Sequence, residues 1–232
     1  MPPFQALLLD AGNTLFREVP SRAEIYADTA RSFGLEVDPR TMASAMRAVH
    51  AALPREIEGD YRYSEGWFRH FIDNVFSGLG LTRPIEEVQR ALIEVFSKPS
   101  TFQPYPETRA VLKRLKGAGV PMAVVSNWSP RLPALLSGLG LGKDFDAIIT
   151  SAIIRAEKPD GAIFRRALEQ LRRPAEVCVH VGDHLANDVA GAHAAGISAR
   201  LVDRQGEHPL HPDRIESLVE VLDLFGLPRT TP

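Results

Sequence analysis

The stretch from Leu7 to Phe16, LLLDAGNTLF, constrains the fold of this chain most. Four apolar residues from Ala6 run directly into Asp10, and a Gly-Asn-Thr turn follows. A short apolar run that ends in such a turn predicts a strand buried on both faces, as in a parallel sheet. Ligands bind at the carboxyl ends of such strands, which favours a functional role for Asp10 over the alternative that it only caps the turn or the next helix.

Composition narrows the class of protein and of partner. The chain has 232 residues, 44% of them hydrophobic, which suits one large domain or a core domain with a modest second one. A net charge of −2, from 27 basic and 29 acidic residues, gives no electrostatic support for binding nucleic acid or an anionic membrane. A small molecule is therefore the expected partner.

The single cysteine and the absence of a targeting pattern suggest a location. Cys178 lies in the apolar run Val177 to Val181, which predicts a buried, inert thiol in a reducing compartment. The amino terminus has no basic segment followed by a long apolar core, and no apolar run approaches the roughly 20 residues that span a bilayer. We expect a cytoplasmic protein.

A helical insert is predicted directly after the first strand. Helical spacing of apolar residues recurs without an intervening strand pattern over Ser21 to Gly34, Pro39 to Leu53, Tyr63 to Gly78 and Ile85 to Phe96. Trp67, Phe71 and Phe76 are expected to form its core rather than a stacking surface. We therefore assign residues 17–102 to a helical cap domain, and residues 1–16 with 103–232 to the core domain.

The rest of the chain alternates between helices and strands. Strands are predicted at Val120 to Ser126, Ala147 to Thr150, Val177 to Gly182 and Ile197 to Val202, and helices at Pro106 to Gly119, Pro130 to Gly140, Asp160 to Arg172, Asp188 to Gly196 and Asp213 to Phe225. This alternation indicates an α/β fold with a Rossmann-like, doubly wound parallel sheet.

Polar residues follow three of the predicted strands. Asp10 ends the first, Ser126-Asn127 ends the second, and Gly182-Asp183 ends the strand that precedes Asp188. Because the carboxyl ends of parallel strands meet at one edge, these groups should converge on a site of hard oxygen ligands, which suits Mg²⁺ beside a phosphate group. Lys158, just before a predicted helix, would add a positive charge.

These four motifs, in this order, resemble those of the haloacid dehalogenase-like hydrolase superfamily. The resembling segments are LLLDAGNTL, VVSN, EKPDGAIF and VGDHLANDVAGA. The resemblance covers most of the chain outside the helical insert and implies a member with an α-helical cap after the first motif. The implied activity is a Mg²⁺-dependent phosphatase that acts on a small phosphorylated metabolite.

The resemblance also implies roles for individual residues. Asp10 would be the nucleophile that forms a covalent aspartyl intermediate, Ser126 would orient the transferred group, and Lys158 would stabilise its charge. The substrate is expected to contact Thr14 and Asn127. Magnesium would be held by Asp10, by the backbone carbonyl of Gly12, by Asp183, and by Asp188 in the second shell.

Position 12 departs from the family pattern. Phosphatases of the superfamily normally carry a second Asp two residues after the nucleophile, where it acts as general acid and base, and this chain has Gly12 there. The metal-binding carbonyl survives this change, but the proton donor for the leaving alkoxide does not. General acid–base help is typically worth about 10²–10⁴-fold, so activity on unactivated phosphate esters should be weak.

Three alternatives follow from this departure. The 2-haloacid dehalogenases also lack the second Asp, but their fourth motif is rich in Ser and carries Asn. This chain instead keeps Asp183 and Asp188 in that motif. Phosphonatases use a cap lysine, and this chain has no lysine before Lys98. A non-catalytic protein that kept only the metal and phosphate site is the third alternative. The sequence indicates neither the substrate nor the oligomeric state.

The remaining candidate residues have less specific interpretations. His180 alternates within a buried strand and is expected to be a core histidine, while His208 and His211 lie in a Pro-containing loop and are expected to be solvated. Five residues of the cap and hinge could either select the substrate or lie on a solvated surface: Arg17, Arg22, His50, Arg62 and His70.

Overall fold

The computed structural model describes residues 3–82 and 84–229, which form two compact units. The first unit contains the described residues up to Arg17 and those from Pro104 onward, and the second is Glu18–Gln103. The chain leaves and re-enters the first unit through two short strands that pair with each other, Phe16–Glu18 and Phe102–Pro104. The boundaries assigned from the sequence lie at residues 16/17 and 102/103.

The strands contain two to five residues each. In chain order they are β1 Ala6–Leu9, β2 Phe16–Glu18, β3 Glu56–Ile57, β4 Asp60–Tyr61, β5 Phe102–Pro104, β6 Met122–Ser126, β7 Ala147–Thr150, β8 Cys178–Gly182, β9 Ser198–Val202 and β10 Arg214–Ile215.

The α-helices are longest in the second unit. In chain order they are α1 Arg22–Ser32, α2 Pro39–Ala52, α3 Glu65–Gly78, α4 Ile85–Ser97, α5 Thr108–Gly117, α6 Leu132–Gly138, α7 Ser151–Ile154, α8 Gly161–Leu171, α9 Gly191–Ala194 and α10 Val221–Leu224. A π-helical segment, Leu185–Ala190, precedes α9. Within the described residues, no helix is both long enough and apolar enough to cross a membrane.

The first unit is built on a six-stranded parallel sheet in the order β10-β9-β8-β1-β6-β7. β1 lies at its centre, where Leu8 pairs with Ala123 of β6 on one side and with His180 of β8 on the other. A central parallel strand is buried on both faces, and all four residues of β1 are buried. The predicted α/β fold with a parallel, Rossmann-like sheet is confirmed.

Both faces of the six-stranded sheet are covered by other parts of the first unit. Alternate strand residues Leu8, Ala123 and Val125 pack in one apolar cluster with Phe164 and Ile163 of α8. The intervening residues Leu7, Leu9, Met122 and Val124 point to the opposite face and are also fully or almost fully buried. Both faces are therefore covered, and only the ends of the strands remain for a site.

The second unit is helical, as predicted, with one addition. Ser21 caps α1 with a capping box, and Trp67, Phe71 and Phe76 lie in the buried core of the unit, which confirms their interpretation as core residues. The expectation that no strand interrupts the helices was wrong. A hairpin of β3 and β4 separates α2 from α3 and turns through Glu58 and Gly59, both in the left-handed region.

The predicted tail helix from Asp213 to Phe225 was also wrong. The segment contains the edge strand β10, a 3₁₀ turn Leu218–Glu220 and only four residues of α-helix in α10. Ser217 caps the 3₁₀ turn through a capping box with Glu220. A strand followed by a turn thus buries apolar residues whose spacing is nearly helical. The strand forms because pairing with β9 gives the backbone hydrogen-bonding groups of Arg214 and Ile215 their partners.

Candidate active site

Three neighbouring strands, β8, β1 and β6, bring the candidate residues to one edge of the sheet. Asp10 follows β1, Ser126 ends β6, and Asp183 follows β8. The Asp10 N–H donates to the carbonyl of Val181 at 2.9 Å, which continues the pairing with β8 one residue beyond β1. The carboxyl-edge site predicted from the motifs is formed by these strand ends.

Asp10 is held by a hydroxyl and a buried cation. Ser126 Oγ donates to Asp10 Oδ1 at 2.9 Å, and Lys158 Nζ donates to the same oxygen at 2.6 Å. Both Asp10 and Lys158 are buried. This arrangement fixes the orientation of the carboxylate and places a positive charge beside it.

Asp188 is held from three directions. Lys158 Nζ donates to Asp188 Oδ1 at 2.5 Å, and His180 Nε2 lies 2.9 Å from the same oxygen. The backbone N–H of His184 donates to Asp188 Oδ2 at 3.0 Å. Lys158 therefore links the first and the fourth motif through a single ammonium group.

The acidic groups of the site fit a metal ion. One carboxylate oxygen from each of Asp10, Asp183 and Asp188 lies within 4.8 Å of the others. Lys158 pairs with Asp10 and Asp188, so two of the three carboxylates share a single ammonium group. Such a set of hard oxygen donors with excess negative charge suits a divalent cation such as Mg²⁺.

The pKa values of the site reflect this crowding. Burial and the neighbouring carboxylates of Asp10 and Asp188 raise the pKa of Asp183 to about 7. Burial also raises the pKa of Asp10, although Lys158 opposes the effect. Burial alone would raise the pKa of Asp188, but Lys158 and His180 outweigh it and lower that pKa.

Gly182 is required by the close approach of Asp188. A Cβ at Gly182 would lie 2.2 Å from Asp188 Cγ and 2.5 Å from Asp188 Oδ2. The Asp188 side chain is short and is held by three hydrogen bonds, so it has little freedom to move aside. The glycine that ends β8 therefore lets the fourth-motif carboxylate turn back over the strand.

We expect Gly182→Ala to disrupt the site. The added methyl group would displace Asp188 from Lys158 and His180, which should lower both the thermal midpoint and the affinity for Mg²⁺, measured by calorimetric titration. Gly117→Ala is the matched control because nothing lies within 4 Å of its Cβ position in α5. The control should be neutral or stabilising by up to about 1 kcal/mol. Unchanged Mg²⁺ affinity in Gly182→Ala would contradict the assigned packing.

Asn127 and Thr14 occupy positions that support the site. The Asn127 amide donates to the backbone carbonyl of Lys158 at 3.0 Å and accepts from its N–H at 2.7 Å, so it positions Lys158. Thr14 is fully buried, and its hydroxyl has no hydrogen-bond partner among the described residues. Its carbonyl accepts a bond of 2.9 Å from Arg204, which also binds Glu107. Contact of Thr14 and Asn127 with the substrate stays a prediction.

The loop that contains Gly12 is a tight turn after Asp10. The N–H groups of Leu15 and Phe16 bond to the carbonyl of Ala11, and the N–H of Asn13 bonds to the carbonyl of Phe16. None of these bonds uses the carbonyl of Gly12, the atom predicted to bind the metal. Asn13 adopts a φ of 57° and donates from its side chain to Asp183.

Two residues of the site were missed by the sequence analysis. His180 is fully buried, as predicted for a core histidine, but its Nε2 binds Asp188 and its Nδ1 has no partner among the described residues. The ring of Trp128, one residue after Asn127, lies against Gly12. The only available signals were the position of His180 three residues before Asp183 and that of Trp128 directly after the second motif.

The other candidate residues from the sequence analysis contact groups near them in the fold. Within the second unit, Arg22 pairs with Glu18, His50 contacts the Tyr63 hydroxyl at 3.2 Å, Arg62 donates to the Leu53 carbonyl, and His70 lies 3.7 Å from Glu58. His208 and His211 are partly exposed. The metal cluster found among the described residues contains neither of them. Burial raises the pKa of the Cys178 thiol to about 11, consistent with an unreactive group.

Comparison with known proteins places the chain in a family. A model of haloacid dehalogenase-like hydrolases matches residues 4–196. The haloacid dehalogenase-like hydrolase domain-containing protein 3 of Danio rerio is 30% identical over 217 residues, which are 91% of this chain and 90% of that protein. A phosphoserine phosphatase of Thermus thermophilus is 29% identical over 89% of this chain and 91% of its own.

A solved structure supports the same assignment. The crystal structure of a phosphatase of this superfamily from Thermococcus onnurineus has a TM-score of 0.69 and 26% identity, and the match covers 98% of this chain and 100% of that one. The family model spans the four motifs whose residues meet at the edge of the sheet. The chain belongs to the haloacid dehalogenase-like hydrolases.

Proposed function

We propose that this protein is a magnesium-dependent phosphatase that acts on a small phosphorylated compound through an aspartyl-phosphate intermediate on Asp10. The observation that carries the proposal is the convergence of Ser126 and Lys158 on Asp10 Oδ1, with the carboxylates of Asp183 and Asp188 alongside. The phosphatase relatives from Thermus thermophilus and Thermococcus onnurineus support this reaction class.

The reaction would proceed in two displacements at phosphorus. A carboxylate oxygen of Asp10 attacks, the bond from phosphorus to the leaving-group oxygen breaks, and the electron pair departs with that oxygen. Water then attacks the phosphorus of the acyl phosphate, which releases inorganic phosphate and restores Asp10. Lys158 and Ser126 hold the phosphoryl oxygens and the carboxylate in position.

The residues that would hold Mg²⁺ are Asp10, Asp183 and the backbone carbonyl of Gly12, with Asp188 in the second shell. When bound, the ion supplies positive charge that screens the repulsion between the attacking carboxylate and the phosphoryl oxygens. The presence of the carboxylates Asp183 and Asp188 disfavours a 2-haloacid dehalogenase activity, because cleavage of a carbon–halogen bond does not require a cation site.

The second candidate is a non-catalytic protein that binds metal and phosphate. It is motivated by Gly12, which leaves the leaving group without a proton donor at that position. Hydrolysis of p-nitrophenyl phosphate and acetyl phosphate, with and without Mg²⁺, separates the two candidates because both leaving groups need little protonation. Magnesium-dependent release of phosphate from either compound supports the enzyme, and its complete absence rejects the enzyme in favour of the binding protein.

Asp183→Asn should weaken the binding of Mg²⁺ by about 10-fold or more, because an amide lacks the charge that a hard cation prefers. Calorimetric titration with MgCl₂ measures the affinity. Asp28→Asn is the control, since the Asp28 side chain is 61% exposed and pairs with Arg31 on α1, outside the unit that contains the candidate site. Equal affinities in Asp183→Asn and the parent would remove Asp183 from the metal site.

A further inference from the structure

Gly12 lies close to the side chain of Trp128, which leaves little room for a side chain at position 12. A Cβ at this position would lie 3.0 Å from Cζ3 of the Trp128 ring, with Cη2 at 3.7 Å and Cε3 at 3.9 Å. The backbone at Gly12 is outside the left-handed region, so its conformation admits other residues. The indole ring, and not the backbone, is what a side chain at position 12 would meet.

The Trp128 ring is held beside the nucleophile loop. It packs edge-on against Phe16, with ring centroids 5.6 Å apart and planes at 88°. The main chain next to the ring is anchored as well. The Asn127 side-chain amide donates to the Lys158 carbonyl, and the Trp128 carbonyl accepts a hydrogen bond from the Ala152 N–H at 3.3 Å. Trp128 as a residue is partly exposed and not sealed in the core, so a bound molecule can reach it.

This packing changes the chemistry beside Asp10. A carboxyl group at position 12, two residues after the nucleophile, could protonate a departing oxygen, whereas an indole ring offers a flat apolar surface and no acidic proton. A leaving group that departs next to this ring must therefore be stable as an anion, and it binds best if it is flat and apolar.

Resting on the proposed phosphatase function, we infer that Trp128 forms a subsite for aromatic leaving groups and that the substrate class is aryl phosphate monoesters. When the bond from phosphorus to the phenolic oxygen breaks, the electron pair leaves with the phenolate, which then takes its proton from water. Acyl phosphates meet only the requirement for a stable leaving anion, and alkyl phosphates meet neither requirement.

Binding of two non-hydrolysable probes tests the subsite on the parent protein. Phenylphosphonate and methylphosphonate share the phosphonate group and differ in the ring. In the presence of Mg²⁺, calorimetry should give an affinity for phenylphosphonate about 10-fold higher, and this preference should disappear in Trp128→Leu and persist in Trp128→Phe. Equal affinities of the parent for both probes would overturn the inference without any variant.

Kinetics separate this inference from the proposed function. The ratio of kcat/KM for p-nitrophenyl phosphate to that for acetyl phosphate should fall about 10-fold in Trp128→Leu, mainly through KM, and should be retained in Trp128→Phe. A parent that hydrolyses both compounds and a variant with an unchanged ratio reject the subsite alone. A parent that hydrolyses neither rejects the phosphatase, and the two phosphonates still decide whether Trp128 binds a ring.

The pair Gly12 and Trp128 makes a second, independent test. Gly12→Asp alone brings its Cβ to 3.0 Å from the ring, so the ring has to shift to make room. We therefore expect a lower thermal midpoint and less than about a 3-fold gain in turnover of glycerol 3-phosphate. Gly12→Asp combined with Trp128→Ala provides the space, so part of the thermal midpoint returns and turnover of this alkyl phosphate rises by up to about 10²-fold. Equal effects in the single and the double variant would show that the ring does not govern position 12.

Discussion

We expect Asp10→Asn to abolish phosphate release, by more than about 10³-fold on p-nitrophenyl phosphate, and the protein to stay folded. An amide is nearly isosteric with the carboxylate but is a poor nucleophile, and loss of a nucleophile removes the covalent route altogether. The amide oxygen can still accept the hydrogen bonds from Ser126 and Lys158 that Asp10 Oδ1 accepts now. The measurement is the initial rate with saturating Mg²⁺, alongside circular dichroism.

The stability of Asp10→Asn has an expected sign. Burial raises the pKa of Asp10, which means that the fold disfavours its ionised form. A neutral amide avoids that cost and also relieves the repulsion from Asp188, while Lys158 keeps Asp188 as its ion-pair partner. The thermal midpoint should therefore not fall below that of the parent. Asp28→Asn serves as the control for both rate and stability, since Asp28 is exposed on α1. Persistent Mg²⁺-dependent turnover by pure Asp10→Asn would remove Asp10 from the nucleophile role.

Trapping of the intermediate would complement this variant. A phosphoryl or beryllofluoride adduct found on Asp10 by mass spectrometry or crystallography would identify the attacking residue directly. An adduct on another residue would contradict the proposed route.

The central strands were predictable because burial on both faces leaves a simple pattern. β1, β6 and β8 are runs of apolar residues that end abruptly in Asp10, Ser126 and Gly182. Because the carboxyl ends of parallel strands meet at one edge of a sheet, the strands, their shared edge and the residues on it followed together from the sequence.

The edges of the fold were less predictable because short elements carry little pattern. β10 has two residues, and Ile215, Leu218, Leu222 and Phe225 recur at a spacing that a helix would also explain. Pairing with β9, a contact distant in sequence, decided between a strand and a helix. β3 and β4 are equally short, and only the Glu58-Gly59 turn between them marked the hairpin.

The missed site residues depend on how segments fold back. The alternation of β8 correctly places His180 inside, but its bond to Asp188 exists only because the π-helical segment Leu185–Ala190 returns the carboxylate over Gly182. In the same way, the sequence identifies Gly12 as a missing acid but does not reveal that the Trp128 ring lies against it. Motif spacing specifies which groups share an edge and leaves their mutual packing undetermined.

Lys158→Met should remove activity and also destabilise the fold strongly. Lys158 is 3% exposed, and its ammonium group pairs with Asp10 at 2.6 Å and with Asp188 at 2.5 Å. Burial alone would lower the pKa of Lys158, but these two carboxylates outweigh it and raise that pKa, which favours the charged form of the ammonium group. Removing one partner of a buried ion pair typically costs about 3–5 kcal/mol because the remaining charge is left uncompensated.

The loss in the free energy of unfolding caused by Lys158→Met should increase as the pH rises. In the parent, the pKa of Asp188 is lowered, so its contribution to stability is present above its unfolded pKa and is lost as pH falls through the folded one. Without Lys158, the pKa values of Asp10 and Asp188 should rise. A carboxyl group whose pKa is higher in the folded than in the unfolded state destabilises the fold as the pH rises through that folded pKa. The deficit in the free energy of unfolding should therefore be larger at pH 8 than at pH 5.

Urea denaturation at the two pH values measures this deficit, and Lys116→Met provides the matched control. Lys116 pairs with Asp146 at 2.9 Å, but its side chain is 41% exposed and that of Asp146 42%, so its loss should cost no more than about 1 kcal/mol with little change between pH 5 and pH 8. A Lys158→Met deficit as small as that of the control would show that Lys158 does not compensate the buried carboxylates. A large deficit that is independent of pH would instead trace the destabilisation to lost packing, since only the titration of Asp10 and Asp188 makes the cost shrink in acid.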